Sequence, residues 1–456
     1  MCETATVATD RSEPGPAGGV GRVMSLEDLL PIARSIVEQD ETRRTAAGFV
    51  GYGATSPGDR VLIGVDSQTD PAITDAIRQA LRERGARVDT VVVEVEPDRP
   101  FDDLDEIRVA IRRQPWTEDP RRWEGIPWVE DLARTRGYDL LIHGKGGAIP
   151  KTEHRYEGFP WVVRDHFDAG SNLFPRPLHR LINEATWSRI TDNPGARLVL
   201  TDPEGTNLSL TILGAPFDDT TRHDYGRSPK WGHLMAHPPT PIERDDDTTG
   251  VIAGTLNHFS RPFPRIEVDV ENARMTGNRG GGAYGDAWRA LEDESRDIEY
   301  PCFPAPGLFW IWEIAIGTNP KISRPANIRS LSSGGFEWER RRAGIIHCGL
   351  GTRWRSSEEV WAGERHLVYG HLHVHLMRPT LVVQAASGDI PVIEEGRLSA
   401  YDDPAVRDLA ATFGDPDQLL HDDWVPDIPG ITVPGSYEDY AADPARFVYG
   451  PEAVTS

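Results

Sequence analysis

The chain has 456 residues, and its 72 acidic and 49 basic side chains give a formal net charge of −23. At roughly 100–200 residues per domain, this length predicts two or three domains. The charge excludes a protein that binds the backbone of nucleic acids, and it argues against an anionic membrane surface as partner, because both kinds of binding need a basic field.

The beginning of the chain does not have the pattern of a targeting segment. Residues 1–22 are polar and rich in Gly and Pro, without the apolar stretch of a signal peptide, and they predict a disordered arm. No run approaches the ~18–20 apolar residues of a membrane span. The three cysteines are too few for a disulfide framework, which indicates a reducing compartment. We therefore expect a soluble, cytoplasmic protein.

Residues 23–190 predict an α/β domain. The segment 25–39 has helical spacing of its apolar residues, and it begins with a Ser that suits an N-cap. Residues 57–96 follow the order strand, turn, helix, glycine, strand, which favours a βαβ unit and a parallel sheet. The turn of this unit, VDSQTDP, lacks the GxGxxG pattern, so we expect no dinucleotide site there. A further helix and strand are predicted up to residue 144, and residues 151–190 are interpreted as aromatic-rich and irregular.

A β-rich domain is predicted over residues 191–392. A hairpin around DPEG comes first, and one helix is predicted at 280–296. The other segments are short apolar runs bounded by Gly, Pro or Asn, which is typical of strands. They are TGVIAGTLNH, RIEVDVENARMTG, LFWIWEIAIGTN, RAGIIHCGLGT and HLVYGHLHVHLM. The predicted fold class is therefore an α/β N-terminal domain with a parallel sheet, followed by a mostly β C-terminal domain that binds metal.

The last segment, residues 393–456, differs in composition and is called the C-terminal strap below. It holds 14 acidic and 3 basic side chains, so it contributes −11 to the net charge. Aromatic residues are spread along it, which predicts an ordered, loop-rich segment, with full disorder as the alternative.

The segment GHLHVHLM carries the strongest chemical signal. In a β-strand the residues i, i+2 and i+4 point to one face, so His371, His373 and His375 would line one side of a strand. Neutral imidazoles are good ligands for Fe, Zn or Mn, and three of them in register predict a metal site. The alternative interpretation is a row of solvated or hydrogen-bonded histidines.

Three more segments contain candidate ligands. His347 lies in the apolar, Gly-rich run AGIIHCGLGT, where a structural histidine is the alternative. Glu313 lies in WEIAIGTN, and a buried carboxylate there needs a metal or an arginine as partner unless it faces outward. His237 lies with His233 in the loop-like WGHLMAHPPTP, where surface histidines are the simplest interpretation.

The order of these motifs resembles a known family. PGDRVLIGVDS, the GTNLSLTI hairpin, EIAIGTNP, AGIIHCGLG and HVHLM follow one another as in the thermophilic aminopeptidases of peptidase family M29. The same scaffold is used by 2,5-dihydroxypyridine 5,6-dioxygenase, a non-haem iron enzyme. The resemblance covers residues 55–385 with gaps. It implies an N-terminal α/β domain, a β-rich C-terminal domain that holds the metal, and a homodimer.

The metal ligands that the resemblance implies are Glu313, His347, His373, His375 and His237. The last two differ from the peptidases, which have an Asp and a metal-bridging Glu at these places. In addition, the general-base Glu of the peptidases is replaced by Arg342, and a Tyr is replaced by Trp354. Two dications need several carboxylates, so the loss of two favours one mononuclear, His-rich site over a two-metal peptidase site. The loss of the base removes the group that would activate water.

The leading functional hypothesis is a mononuclear non-haem Fe(II) dioxygenase that cleaves the ring of a small hydroxylated aromatic or heteroaromatic compound. In this hypothesis His371 acts as an acid or base beside the ligands, and Arg342, with Arg353 and Arg355, binds a substrate carboxylate. Ordinary surface pairing is the alternative for the arginines. The alternative function is an aminopeptidase- or amidase-like hydrolase with a His-rich Zn or Mn site. A third possibility is an inactive scaffold that only binds metal or a partner.

Overall fold

The computed structural model of the chain describes a series of ranges. They are residues 25–38, 51–67, 69–93, 111–113, 126–144, 155–159, 161, 163–167, 170–212, 233–235, 247–257, 260–301, 303–324, 339, 341–352 and 357–449. The predicted arm at 1–22 lies outside the described residues.

The first part of the chain contains alternating helices and strands. Its elements are α1 (Leu26–Val37), β1 (Arg60–Asp66), α2 (Pro71–Glu83), β2 (Arg87–Val93), β3 (Ile111–Arg112), α3 (Ile126–Arg136), β4 (Leu140–Gly144), β5 (Arg155–Phe159) and α4 (Arg164–Phe167). Helix α1 begins at the predicted cap, where Oγ of Ser25 accepts from the N–H of Asp28 at 3.3 Å and the Asp28 carboxylate accepts from the N–H of Ser25 at 2.8 Å. This reciprocal pair satisfies two N–H groups that a helix start leaves without partners.

Four of these strands form a parallel sheet in the order β2–β1–β4–β5. Strand β1 lies inside the sheet and is buried from Val61 to Asp66, which explains its uninterrupted apolar run. Helix α2 starts after the N-cap Asp70, with a proline at its first position, and buries a row of apolar side chains in the same core as β1. The βαβ unit predicted for residues 57–96 is therefore present.

The rest of the chain is rich in strands. Its elements are α5 (Arg176–Thr191), β6 (Arg197–Thr201), β7 (Asn207–Thr211), β8 (His233–Met235), β9 (Thr249–Leu256), β10 (Pro262–Glu271), β11 (Arg274–Gly280), α6 (Gly282–Ser295), β12 (Ile311–Gly317), β13 (Ile346–Gly351), α7 (Ser357–Gly363), β14 (Tyr369–Leu376), β15 (Thr380–Ala385), β16 (Gly388–Glu394), β17 (Arg397–Leu398), α8 (Pro404–Ala411), α9 (Pro416–Leu419), α10 (Tyr437–Ala442) and α11 (Ala445–Val448).

The prediction that residues 151–190 are irregular is wrong, because β5 and α4 lie in the first half of this segment and helix α5 begins in its second half. The prolines at 175 and 177 suggest a break, yet both lie at the helix start, where no N–H has to be donated within the helix. The buried apolar residues follow a helical spacing, at Leu178, Ile182, Trp187 and Ile190.

The strands from β6 onward form a large antiparallel sheet. The order along it is β17–β16–β15–β6–β7–β9–β14–β13–β12–β8, with β10 joined to β9 and β11 to β10. Strand β3 also joins this sheet, because Ile111 and Arg112 pair with Gly370 and Tyr369 of β14. Strand β13 is buried at every residue, so the strands that carry the predicted ligands lie in the interior. A parallel sheet with helices followed by a large antiparallel sheet confirms the predicted fold class.

The C-terminal strap is described up to Tyr449 and contains the short helices α8 to α11. Two of its acidic side chains cap these helices, because Asp403 and Asp415 accept from N–H groups at the starts of α8 and α9, and Ser436 caps α10 in the same way. Ile428 and Tyr440 are buried in one apolar cluster with residues of the large sheet. In the described ranges, no helix has both the length and the apolar character needed to cross a membrane.

Candidate metal centre

Strands β12, β13 and β14 are neighbours, and their register determines which side chains meet. The opposed pairs on β13 and β14 are His347 with His375, Gly349 with His373, and Gly351 with His371. On the other side of β13, Gly349 lies opposite Glu313 of β12. Since opposed residues of antiparallel strands have side chains on the same face, histidines from two strands and a carboxylate from a third share one face of the sheet.

Three of these side chains converge on one point. Nε2 of His373 lies 2.7 Å from Oε1 of Glu313, and Nε2 of His347 lies 3.1 Å from the same oxygen. The ligand atoms of all three residues lie within 4.8 Å of one another. Within the described residues, no second set of three His, Cys, Asp or Glu side chains converges in this way.

Gly349 makes room for this convergence. A Cβ built on Gly349 would lie 2.8 Å from Cγ of Glu313, 2.9 Å from Nε2 of His373 and 3.0 Å from Oε1 of Glu313. Real Cβ atoms do not approach so closely, so any side chain at this position would push the two ligand candidates apart. The strand therefore leaves a space, bordered by the ligand atoms, that only glycine permits.

The chemistry of the three residues fits a divalent metal ion. Glu313, His347 and His373 are exposed by only 2%, 0% and 1%, and a buried carboxylate is costly unless positive charge balances it. Two imidazoles and one carboxylate are suitable ligands for Fe, Zn or Mn.

Cys348 lies between these residues in sequence but is not part of the group. It alternates with His347 and Gly349 along β13, so its side chain lies on the opposite face of the sheet. Burial raises the pKa of its thiol well above the ordinary value, so the sulfur stays protonated. A protonated thiol is a poor metal ligand, since the thiolate is the form that binds.

His371 lies beside the converging group. Its ring centre is 4.8 Å from that of His373, and its Nδ1 lies 3.2 Å from the carbonyl oxygen of Thr352. Because a carbonyl oxygen only accepts, Nδ1 carries the proton in this contact and Nε2 of the neutral ring is an acceptor. The hydroxyl of Thr352 is itself bonded to the N–H and C=O of Gly370, at 2.7 and 3.0 Å, so the carbonyl that holds His371 is fixed.

Two further predicted ligands, His375 and His237, are not in this set of three. The ring of His375 is buried and its centre lies 5.9 Å from that of His347, on the same face but outside the set of three. His237 lies outside the described residues. Its neighbour in sequence, His233, starts strand β8 and pairs with Gly317, so this segment runs beside the strand of Glu313.

Arg342 is buried and its guanidinium contacts the C-terminal strap. Its acceptors are the carbonyl of Trp424 at 2.8 Å, the carbonyl of Gly396 at 2.8 Å and the carboxylate of Asp422 at 3.3 Å. These contacts occupy all three nitrogens of the side chain. Arg353, Trp354 and Arg355 lie outside the described residues.

Two residues of the site were not predicted from the sequence. A sequence signal for Gly349 does exist. His347, Gly349 and Gly351 alternate along one strand as the three histidines of GHLHVH do along the other, so pairing the two strands predicts a glycine opposite a histidine. Tyr284 of helix α6 donates its hydroxyl to the carbonyl of His373 at 3.1 Å. No local pattern indicates this contact, because the helix is far from β14 in sequence.

Comparison with known proteins gives similarity at the level of the fold. No protein-family model matches the chain, and no curated protein matches it. The structure of 2,5-dihydroxypyridine dioxygenase from Pseudomonas putida KT2440 is 15% identical with a TM-score of 0.46, and the alignment covers 83% of this chain and 98% of that chain. Wild-type AmpT from Thermus thermophilus is 12% identical with a TM-score of 0.45, and the alignment covers 82% of this chain and 99% of that chain.

Both alignments extend over nearly the whole of the compared structures, at low sequence identity. Identities of 15% and 12% describe the fold alone, and TM-scores of 0.46 and 0.45 carry no conclusion about the reaction. The function of this chain therefore has to be inferred from its own residues.

Proposed function

We propose that the chain is a mononuclear metal-dependent enzyme that holds one Fe(II) and cleaves the ring of a small hydroxylated aromatic or heteroaromatic compound with dioxygen. The observation that supports this most is the convergence of two imidazoles and one carboxylate from three adjacent strands, at Glu313, His347 and His373. Two histidines and one carboxylate, with other positions open, are the ligand set of non-haem Fe(II) oxygenases. Bound iron would supply the redox chemistry that couples dioxygen to an organic substrate.

The charge of the site favours a phenolic substrate. Glu313 contributes one negative charge, while neutral His347 and His373 contribute none. A divalent cation held by this set keeps one net positive charge in a buried place. A hydroxyl on an aromatic ring can lose its proton and supply the balancing negative charge, since a nearby positive charge favours the ionised form of an acid.

His371 is the residue we assign to the proton of that hydroxyl. Its Nδ1–H is directed to Thr352, which leaves Nε2 as the basic atom of the ring. The ring stands next to His373 but outside the converging set, so it can act on a substrate without being a ligand. His375 and His237 remain additional ligand candidates in this proposal.

The proposal is tested by metal content and oxygen consumption. Protein purified without chelators and loaded anaerobically with Fe(II) is expected to hold one iron per chain. It is expected to consume dioxygen with a member of a panel of catechols, hydroquinones and dihydroxypyridines. His373→Ala is expected to lose the iron, because it removes one of three converging ligands.

His421→Ala is the matched control, since His421 is an exposed histidine of the C-terminal strap. It is expected to bind iron as the wild type does. Stoichiometric iron in His373→Ala would show that the site is elsewhere. A wild-type protein that binds no transition metal would overturn the proposal as a whole.

A zinc hydrolase is the second candidate, because two histidines and one glutamate also hold catalytic zinc. Zinc would lower the pKa of a bound water to about 7, so the site would need no separate base in place of the peptidase Glu. Zinc in the purified protein, with anaerobic activity on aminoacyl amides and no oxygen consumption on the phenolic panel, would favour this candidate over the dioxygenase.

A further inference from the structure

The C-terminal strap is anchored to the sheet by one buried arginine. The side chains of Arg342 and Asp422 are exposed by only 3% and 10%, and the opposite oxygen of Asp422 accepts from the hydroxyl of Tyr401 at 3.1 Å. Two of the three acceptors of Arg342 are backbone carbonyls, at Gly396 and Trp424. Charged donors that bind carbonyls in a buried place make strong and geometrically defined contacts. The arginine therefore neutralises the carboxylate of Asp422 and also fixes the path of the strap backbone.

The same arginine belongs to the turn that leads into β13. Its N–H and C=O bond to Glu339 and Ile345 within this turn, five residues before His347. Close beside it, Gly344 has φ +80, and a Cβ there would lie 2.0 Å from the carbonyl oxygen of Gly396. The backbone of the turn before β13 is therefore in direct contact with the backbone of the C-terminal strap, and the side chain of Arg342 binds across this contact.

An apolar cluster extends this contact along the face of the ligands. Ile345 directly precedes β13, two residues before His347, and Met377 directly follows β14, two residues after His375. Leu256 lies opposite His375 in the register of β9 and β14. All three apolar residues are buried together with Ile428 and Tyr440 of the strap.

We propose that Arg342 is a positioning residue of the metal centre, which holds the C-terminal strap against β13 and so fixes the placement of His347. This inference rests on the proposed function, because it treats His347 as a metal ligand. It gives Arg342 a role that differs from binding a substrate carboxylate. It also gives the acidic strap a role in the site, through Asp422 and the two carbonyls.

The test uses Co(II) alone as a probe of the full-length protein. Arg342→Gln is expected to bind Co(II) 10- to 100-fold more weakly than the wild type, which is the usual cost of losing a group that orients a ligand. Its cobalt absorption spectrum is expected to change, and the amides of the strap are expected to exchange hydrogen faster. Arg407→Gln is the control, because its ion pair with Asp417 lies on the surface of the same strap and does not reach β13. We expect the control to leave cobalt affinity and spectrum unchanged.

The outcomes separate the two proposals. If the wild type binds no Co(II), the proposed metal enzyme is wrong. If the wild type binds Co(II) and Arg342→Gln binds it with equal affinity and spectrum while strap exchange rises, the positioning role is wrong and the metal site stands. Should Arg342→Gln not fold, Asp422→Asn weakens the third contact of the arginine and leaves its two carbonyl contacts in place, while the amide oxygen can still accept from Tyr401. A 3- to 10-fold loss of cobalt affinity supports the inference there, and an unchanged affinity overturns it.

Discussion

Gly349 lies opposite His373 on one side of β13 and opposite Glu313 on the other. The absence of a side chain at this position allows the imidazole and the carboxylate to approach to 2.7 Å. The geometry of the candidate site therefore depends on a residue that has no ligand atom.

Gly349→Ala is expected to damage the metal centre more than the fold. The added methyl group would meet atoms of Glu313 and His373 at under 3 Å, so at least one of them has to move. We expect cobalt or iron affinity to fall at least 10-fold, and overpacking to lower the free energy of unfolding by about 1–3 kcal/mol. Isothermal titration and urea unfolding measure the two effects.

The matched control for this substitution is Gly277→Ala. Gly277 also lies in a strand, and a Cβ there would have its nearest contact at 3.9 Å, with a carboxylate oxygen of Asp269. We expect metal affinity to be unchanged in this control. Equal losses of affinity in both variants would mean that the effect at Gly349 is not specific to the site.

Metal removal is expected to destabilise the wild type but not Glu313→Gln. A ligand that binds only the folded state at 100 times its Kd adds about 2.7 kcal/mol to the free energy of unfolding. Glu313 provides the negative charge that holds the cation, so its amide variant gains little from added metal. Thermal unfolding with Co(II) and with a chelator, on both proteins, measures the difference. A stabilisation by Co(II) that is as large in the variant would contradict this assignment of Glu313.

Tyr284→Phe is expected to weaken the strand that carries the histidines. The variant removes the hydroxyl that donates to the carbonyl of His373, and a buried hydrogen bond contributes about 1 kcal/mol. We expect a loss of that size in urea unfolding, together with a several-fold loss of metal affinity. Tyr300→Phe is the control, because the hydroxyl of Tyr300 donates to the carbonyl of Val368, just before β14. It should cost similar stability without changing metal affinity.

A pH dependence is expected from Glu204, in the turn between β6 and β7. Its side chain is 1% exposed, and its Oε1 accepts from Thr255 at 2.9 Å and from Tyr437 of the strap at 3.4 Å. Burial, and then the charge of Asp202, raise the pKa of the Glu204 carboxyl from the ordinary 4.5 to about 8, while Arg265 opposes the shift. The folded protein therefore holds a proton that the unfolded chain releases.

The sign of the effect follows from this difference in bound protons. The stability due to protonated Glu204 is fully present below pH 4.5 and is lost as the pH rises toward about 8. Glu204→Gln keeps a neutral side chain, so its melting temperature is expected to fall less than that of the wild type between pH 5 and about 8. Glu438→Gln, at an exposed carboxylate of the strap, is the control and should follow the wild type. Parallel pH profiles for Glu204→Gln and the wild type would refute the assignment.

The sequence predicts those helices and strands whose residue pattern lies within one short stretch of chain. Ser25 and Asp28 form a cap within four residues, and the apolar runs of β1 and β2 are separated by one helix and a turn. The placement of His371, His373 and His375 in one strand was also predictable, because these residues alternate within a short apolar run. Each of these patterns is contained in a short stretch of chain.

The contacts that were not predictable join distant segments. The convergence of His373 with Glu313 depends on two strand pairings whose register no tight turn sets. The environment of Arg342 depends on where the C-terminal strap folds back, which composition does not specify. Helix α5 was missed although its signal is local, because the whole segment 151–190 was interpreted from its aromatic composition and the helical spacing of its buried apolar residues was not considered.

Strand β3 adds a consequence for the order of assembly. Its residues Ile111 and Arg112 pair with β14 immediately before His371, so the histidine strand is completed by a segment from the first third of the chain. Contacts between such distant segments form late, because a long loop must be closed before any of them is gained. During refolding, bound cobalt is therefore expected to acquire its final spectrum after the secondary structure has formed. Tight metal binding would then follow the completion of folding, and chains in which β3 has not yet paired with β14 would not hold the ion.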